Sequence, residues 1–365
     1  MKPSVLIALS GGVDSSVAAL LLKKRGYKVT ALFMKNFSPS YKSLKKALCW
    51  AEEEKWAKKI AAILDIPLII INSEKQYKTK VIDRMIKDYK KGLTPNPDTL
   101  CNKLIKFPLL LKEAKKRNIP LIATGHYARI RKTRQSYQLE AGKDASKDQS
   151  YFLYQLSQNE LSRALFPLGN LKKEEVRKIA ERNHLPNFSK PSTKGICFVG
   201  NVSMMSFLKK KIPKKKGVVK CFLGKVLGTH LGTQYYTIGQ RIGSHIGIDV
   251  IKPKGTEQMK WYVAGKKGNF LIVAPEGNPL LKKQKIIIKN FHQINPKEKI
   301  PSRLKARIRH LGRFLKGKLA KKNSHFIFTL SKPAEGIAEA QAIVLYHNSQ
   351  VIGGGDISYH KVLDF

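Results

Sequence analysis

The chain has 365 residues, 42% of them hydrophobic, and 70 Lys+Arg against 25 Asp+Glu, a formal net charge of +45. That length and apolar content imply two or three domains with true cores. The charge, where it is more than a compositional lysine bias, implies a polyanionic partner, nucleic acid before an anionic membrane surface. With no apolar run near the ~20 residues of a membrane span, no signal segment before the first strand and four cysteines in so long a chain, a transmembrane protein and a secreted disulfide scaffold are excluded, and a cytoplasmic protein is expected.

In chain order, the apolar run Val5 to Leu9 predicts a buried parallel strand. A glycine turn follows, and Val17, Ala18, Leu21 and Leu22 then recur at helical spacing up to Gly26. Val29 to Met34 reads as a second strand, Ser43 to Leu64 as a helix and Pro67 to Ile71 as a third strand. Val81 to Tyr89 and Leu104 to Lys116 read as helices, Leu121 to Thr124 as a strand and Glu174 to Arg182 as a charged helix. This βαβα rhythm predicts a doubly wound parallel sheet, with ligands beyond the carboxyl ends of its strands.

Around Ser189 to Ser192 the periodicity breaks, and the lysine triplets 209–211 and 214–216 flanking Pro213 read as a basic linker or exposed loop. Short strands follow at Val218 to Phe222, Lys225 to Leu227, Gln234 to Ile238, Trp261 to Ala264 and Phe270 to Val273. A third set is expected at Lys285 to Ile288, Leu304 to Arg309, His325 to Leu330 and Ala342 to Tyr346, with Gly353 to Gly355 turning into a last strand. The division is 1–200, 201–277 and 278–365: an α/β domain, a small β-rich domain and a β-barrel.

Three segments carry candidate chemistry. Ser10-Gly11-Gly12-Val13-Asp14-Ser15-Ser16 joins a strand to a helix N-terminus, where backbone amides and the helix dipole favour an anion. It lacks the lysine of the Walker loop, and on composition alone a tight N-capped turn also accounts for it. Thr94-Pro95-Asn96-Pro97-Asp98-Thr99-Leu100-Cys101 is either a Pro-rich turn with an N-cap and a buried cysteine, or a site loop. Cys197, in an apolar strand between glycines, is either a core residue or Cys101's partner; Cys49 and Cys221 read as core residues only. No C-x-x-C pair or His/Cys cluster has zinc spacing, so no metal site is expected. Two cysteines that met in space could pass a sulfane sulfur, one as a persulfide and the other attacking it, with Lys103 and Lys194 favouring the thiolates.

Read together, SGGVDSS, LFMKNF, TPNPDTLCNKLIKF, ATGHYARI, KDQSYFLYQLS, FPLGNLKKEEVRKIA, STKGICFVG, YTIGQRIG and the terminal GGG resemble, in order and over nearly the whole chain, the bacterial tRNA-specific 2-thiouridylases of the PP-loop ATP pyrophosphatase superfamily. The resemblance implies ATP-dependent thiolation at C2 of the wobble uridine of tRNAs for Lys, Glu and Gln. It implies ATP contacts at Ala8, Leu9, Ser10, Gly11, Gly12, Val13, Asp14, Ser15, Met34 and Gly125, with Mg²⁺ as the counter-ion of ATP. Cys197 would carry the persulfide, Cys101 would attack or resolve it through a transient Cys101–Cys197 disulfide, and Asp98 would act as base or position the uridine.

The same resemblance implies tRNA contacts at Asn96, Pro97, Asp98, His126, Lys147, Asp148, Gln149, Arg307, Ile308 and Gln341, and a cysteine desulfurase or relay protein as sulfur donor. An iron–sulfur cluster on Asp98, Cys101 and Cys197 is the less favoured alternative. Other readings are a PP-loop ligase of a small acid and a basic RNA-binding protein without turnover. The chain departs from the family pattern at Ile308, where an aromatic is usual, and at Glu339-Ala340-Gln341, where Pro-Gly-Gln is usual.

Overall fold

The structure, a computed structural model, describes residues 2–37, 50–191, 203–322 and 325–358. The first strand β1 (Ser4–Ala8) leads into α1 (Val13–Lys24), followed by β2 (Lys28–Lys35), α2 (Trp50–Ile63) and β3 (Leu68–Asn72). Next come α3 (Glu74–Tyr77), a π-helical turn Lys78–Asp83 and α4 (Arg84–Lys90), and then α5 (Pro97–Cys101), a second π-turn Asn102–Lys106 and α6 (Phe107–Lys116). The half closes with β4 (Leu121–Ala123), the hairpin β5 (Ala128–Lys132) and β6 (Tyr137–Ala141), α7 (Gln158–Arg163), β7 (Ala164–Leu165) and α8 (Lys173–Arg182). Five of these strands form an all-parallel sheet in the order β3-β2-β1-β4-β7. The order reverses between β1 and β4, and a crevice opens at their carboxyl ends. The apolar run in β1 is fully buried because α1 and α8 cover one face and α6 the other.

The lysines at 209–211 lie in a helix, α9 (Met204–Lys211), and not in a linker. Ser203 caps it by accepting from the Ser206 amide, and Phe207 and Leu208 anchor it in the core. The central sheet has the order β10-β9-β8-β12-β11, from β8 (Gly217–Cys221), β9 (Val226–His230), β10 (Ile248–Val250), β11 (Trp261–Lys267) and β12 (Phe270–Pro275). The strand expected at Gln234 to Ile238 is instead a 3₁₀ turn, Thr233–Tyr235. Tyr235 is tied there by a 2.6 Å bond from its hydroxyl to the Ile212 carbonyl.

The last region is a closed six-stranded barrel of β13 (Lys282–Gln293), β14 (Arg303–Arg307), β15 (Leu315–Lys322), β16 (His325–Glu335), β17 (Ala342–His347) and β18 (Gln350–Ser358), closed by β13 against β18. Gly353 to Gly355 lie inside β18, not in a turn. A Cβ there would stand 2.1–2.4 Å from the carbonyl oxygens of His292, Ile343 and Lys289, so only glycine lets β18 pair with both neighbours. The β5–β6 hairpin of the first half joins this sheet through β6 and β18. Among the described residues no helix is long and apolar enough to cross a membrane.

Candidate active site

The glycine turn sits at the carboxyl end of β1. Gly11 has φ +75°, and a Cβ on it would lie 2.5 Å from the Glu53 carbonyl oxygen and 2.8 Å from Trp56 Cβ. Gly125, just past β4, is pressed so close that its Cβ would be 2.9 Å from the Ser15 amide nitrogen. The Ser15 hydroxyl donates to the Gly12 carbonyl (3.0 Å) and accepts from the Ser10 amide (3.2 Å). The Asn187 amide donates to the Gly11 carbonyl and to the Ser16 hydroxyl. The loop is thus knitted by its own side chains, while the first-turn amides of α1 have no intrahelical acceptor and remain for an anion. Asp14 is held by the Tyr127 hydroxyl (2.7 Å) and the Lys173 ammonium (2.5 Å). Lys173, from the start of α8, brings to the loop a cation that its own sequence lacks.

Asn96 caps α5, its Oδ1 accepting from the amides of Asp98 (3.1 Å) and Thr99 (3.2 Å), with Pro97 as the first helical residue. The cap fixes Asp98 in the first turn and Cys101 in the next. Burial pushes the Asp98 carboxyl up to about 6 against the opposing pull of Lys106. Burial likewise raises the Cys101 thiol; Lys106 and a Tyr77 hydrogen bond lower it, and Asp98 raises it further. Cys101 is 5% exposed and belongs to a core shared by α3, α4, α9 and the central sheet. His126 Nδ1 lies 2.7 Å from the Thr124 hydroxyl and Nε2 lies 3.4 Å from Lys106 Nζ. Burial and Lys106 together hold this imidazole well below its usual range, so it is neutral at physiological pH.

One cavity of about 920 Å³ joins these parts. Of the residues expected at the site, its wall contains Ser10, Gly12, Val13, Asp14, Ser15, Asn96, Pro97, Asp98, Cys101, His126, Lys147, Gln149 and Gln341. Gln149 is fixed by paired bonds with the Tyr127 backbone. Leu9 is a core residue, Met34 packs against two cores, and Ala8, Gly11 and Gly125 do not line the cavity. Asp148 and Arg307 are buried and bond each other (2.5 Å), joining the first domain to the barrel. Asp148 also accepts from the Gly142 and Ser150 amides, and Arg307 lies over the Phe314 ring.

Ile308, expected at the tRNA, lies one residue past β14 and has its side chain in the barrel core with Leu304 and Ala306. Ala340 replaces the usual glycine yet keeps a left-handed turn at φ +66°, bonded to Ile357. Cys197 and Lys194 lie outside the described residues; Pro191 and Met204, on either side of that segment, both line the cavity. Lys103 is exposed, and the cation acting on Cys101 is Lys106. Lys106, Lys173 and Tyr127 were not expected at the site from the sequence. Among the described residues no group of three or more His, Cys, Asp or Glu could hold a metal ion.

Three domain families match the chain in succession: a tRNA methyl transferase HUP domain over residues 3–201, a tRNA methyl transferase PRC-barrel domain over 205–275 and an aminomethyltransferase beta-barrel domain over 283–357. A tRNA-specific 2-thiouridylase MnmA of Nitrosomonas europaea is 40% identical over 363 residues, 98% of each chain. That of Karelsulcia muelleri is 38% identical, covering 98% of this chain and 99% of its own. A solved 4-thiouridine synthetase–RNA complex with bound ATP aligns at 19% identity and a TM-score of 0.36, over 58% of this chain and 50% of that one. Matched end to end by such relatives, the chain belongs to the tRNA-specific 2-thiouridylase family.

Proposed function

We propose that the protein is an ATP-dependent tRNA-uridine 2-sulfurtransferase acting on the wobble uridine of tRNAs for Lys, Glu and Gln. The observation that carries this is that the N-terminus of α1, Asp98 and Cys101 line one and the same cavity. Its volume suits a nucleotide together with one flipped base. The residues fit ATP: a loop packed tightly by Gly11 and Gly125 against the protein, first-turn amides of α1 at the cavity, and Lys173 beside the loop. Mg²⁺ would accompany ATP as its counter-ion.

A uridine carbonyl is a poor electrophile. Attack of its C2 oxygen on the α-phosphate releases pyrophosphate, which the glycine loop is built to receive, and turns that oxygen into part of a leaving group. The terminal sulfur of a Cys197 persulfide then adds to C2. Cys101 as thiolate attacks the Cys197 sulfur and breaks the S–S bond. The electron pair left on the transferred sulfur forms C=S as AMP departs, and a Cys101–Cys197 disulfide remains for an external thiol to reduce. Pro191 and Met204, on either side of the segment bearing Cys197, line the cavity, which supports this pairing. In this reading Asn96, Pro97 and neutral His126 form the base pocket and Lys147, Gln149 and Gln341 face the tRNA; all six line the cavity, which supports it. The donor is a cysteine desulfurase or relay protein.

The test is mass analysis of tRNA nucleosides after incubation with ATP, Mg²⁺ and a persulfide source, in air and without added iron. 2-Thiouridine should form with the wild type and not with Cys197→Ser. Full thiolation by that variant would end the proposal.

A further inference from the structure

We infer that Lys106 is the positioning cation of the sulfur-transfer half of the site: it balances the one negative charge shared by Asp98 and Cys101, so that Cys101 becomes a thiolate by passing its proton to Asp98. What that thiolate attacks rests on the function proposed above; the charge arrangement does not.

The geometry begins with the π-turn. In an α-helix, residues five apart diverge around the axis. The i→i+5 pattern of Asn102–Lys106 brings residues five apart nearer to one face, and Cys101 and Lys106 both line the cavity. Lys106 lines the same cavity as Asp98, Cys101 and His126. Its ammonium donates to His126 Nε2, so the ring's proton is on Nδ1 and donates to Thr124. His126 is therefore neutral and adds no competing charge. Phe107 stacks on it at 6.1 Å and Phe166 meets it edge-on at 6.0 Å, walling that side from solvent. The groups that act on Cys101 are Asp98 from α5, Lys106 from the π-turn and the Tyr77 hydroxyl from α3. Lys106 favours the thiolate, and ionised Asp98 opposes it.

At rest the set is a Cys101 thiol, an Asp98 carboxylate and a Lys106 ammonium. On activation the S–H bond breaks, its electron pair stays on sulfur, and the proton forms an O–H bond on Asp98; because the thiol holds its proton more tightly than the carboxyl, the thiolate is a transient species that the attack consumes. Lys106 keeps its proton. The pair carries one negative charge before and after, against the same ammonium, so the transfer creates no new buried charge. Without Lys106 both states would bury an uncompensated anion.

The test reads Cys101 alone. Full-length wild type, Lys106→Met and Lys106→Arg are alkylated with iodoacetamide between about pH 6 and pH 10, and the Cys101 peptide is quantified by mass spectrometry. An opposite charge at close range shifts a titration by about one unit or more. Lys106→Met should therefore move the inflection upward and slow alkylation at pH 7.5 by about tenfold, with Lys106→Arg restoring it to within about threefold. A variant that merely unfolded would expose Cys101 and react faster, the opposite sign. Lys106→Met reacting within about twofold of wild type at every pH, or no rescue by arginine, would overturn the assignment. Normal dependence on Lys106 in a protein that makes no 2-thiouridine would overturn the proposed function and leave Lys106 standing.

Discussion

Asp98 offers a test in which stability and function move in opposite directions. Its carboxyl rises from 3.8 to about 6 in the folded protein, chiefly through burial. At about 1.4 kcal/mol per unit this corresponds to about 3 kcal/mol of cost for the ionised form. Asp98 faces the cavity in part, and water there recovers some of that, leaving about 2 kcal/mol. The sign follows from linkage. The folded state binds the proton more tightly than the unfolded chain, so stability is lost as pH rises from 3.8 through about 6. At pH 7.5 the cost is fully present; near pH 4 most of it is gone. Asparagine carries no charge at either pH. Asp98→Asn should be more stable than wild type by about 2 kcal/mol at pH 7.5, with most of the gap closing by pH 4, and it should lose 2-thiouridine formation. Denaturant titrations at the two pH values measure the difference. A variant less stable than wild type at pH 7.5, or a gap that ignores pH, would refute the assignment of Asp98 as a buried, strained carboxylate.

Other consequences follow from the same structure. Gly11→Ala forces a Cβ to 2.5 Å from the Glu53 carbonyl at φ +75°, so pyrophosphate release with ATP and tRNA should fall at least about tenfold; release within twofold of wild type would mean that the loop tolerates a Cβ. Arg307→Met leaves Asp148 buried without its partner and should cost about 3–5 kcal/mol in thermal unfolding, most of it recovered in Arg307→Met with Asp148→Leu. Ala340→Gly relieves a left-handed alanine and should stabilise the chain by about 0.5–1 kcal/mol in denaturant titration. Lys266, half-buried and donating to the Gly92 carbonyl at 2.8 Å, is lowered to about 8 by desolvation. Because the unfolded chain binds that proton more tightly, stability should rise with pH from about 8 towards the ordinary lysine range, and Lys266→Met should flatten the rise.

Local signals that agree with their surroundings could be read from the sequence. The run into Ser10-Gly11-Gly12 predicts a parallel strand, a turn and a helix, and β1 and α1 supply them because both faces of β1 are covered. Asn96 and Pro97 announce a capped helix, which places Asp98 and Cys101. What stayed hidden depends on tertiary contact or on an unusual period. Lys106 comes to the same cavity wall as Cys101 through a π-turn, which a 3.6-residue period does not show. Lys173 meets Asp14 across 159 positions of sequence. The β5–β6 hairpin is short and rich in Arg, Lys and Gln on its open face, and only its pairing with β18 makes it part of a sheet. Gly353 to Gly355 read locally as a turn, whereas barrel closure requires them as a strand. Asp148 and Arg307 carry the charges of surface residues, and their burial is legible only once each has found the other.

The central claim is that the uridine C2 oxygen leaves as part of AMP. A tRNA carrying ¹⁸O at C2 of its wobble uridine, given one turnover with ATP and persulfide-loaded protein, tests it directly. The account predicts one ¹⁸O in the phosphate of AMP for each 2-thiouridine formed. Thiolated tRNA beside unlabelled AMP would contradict it.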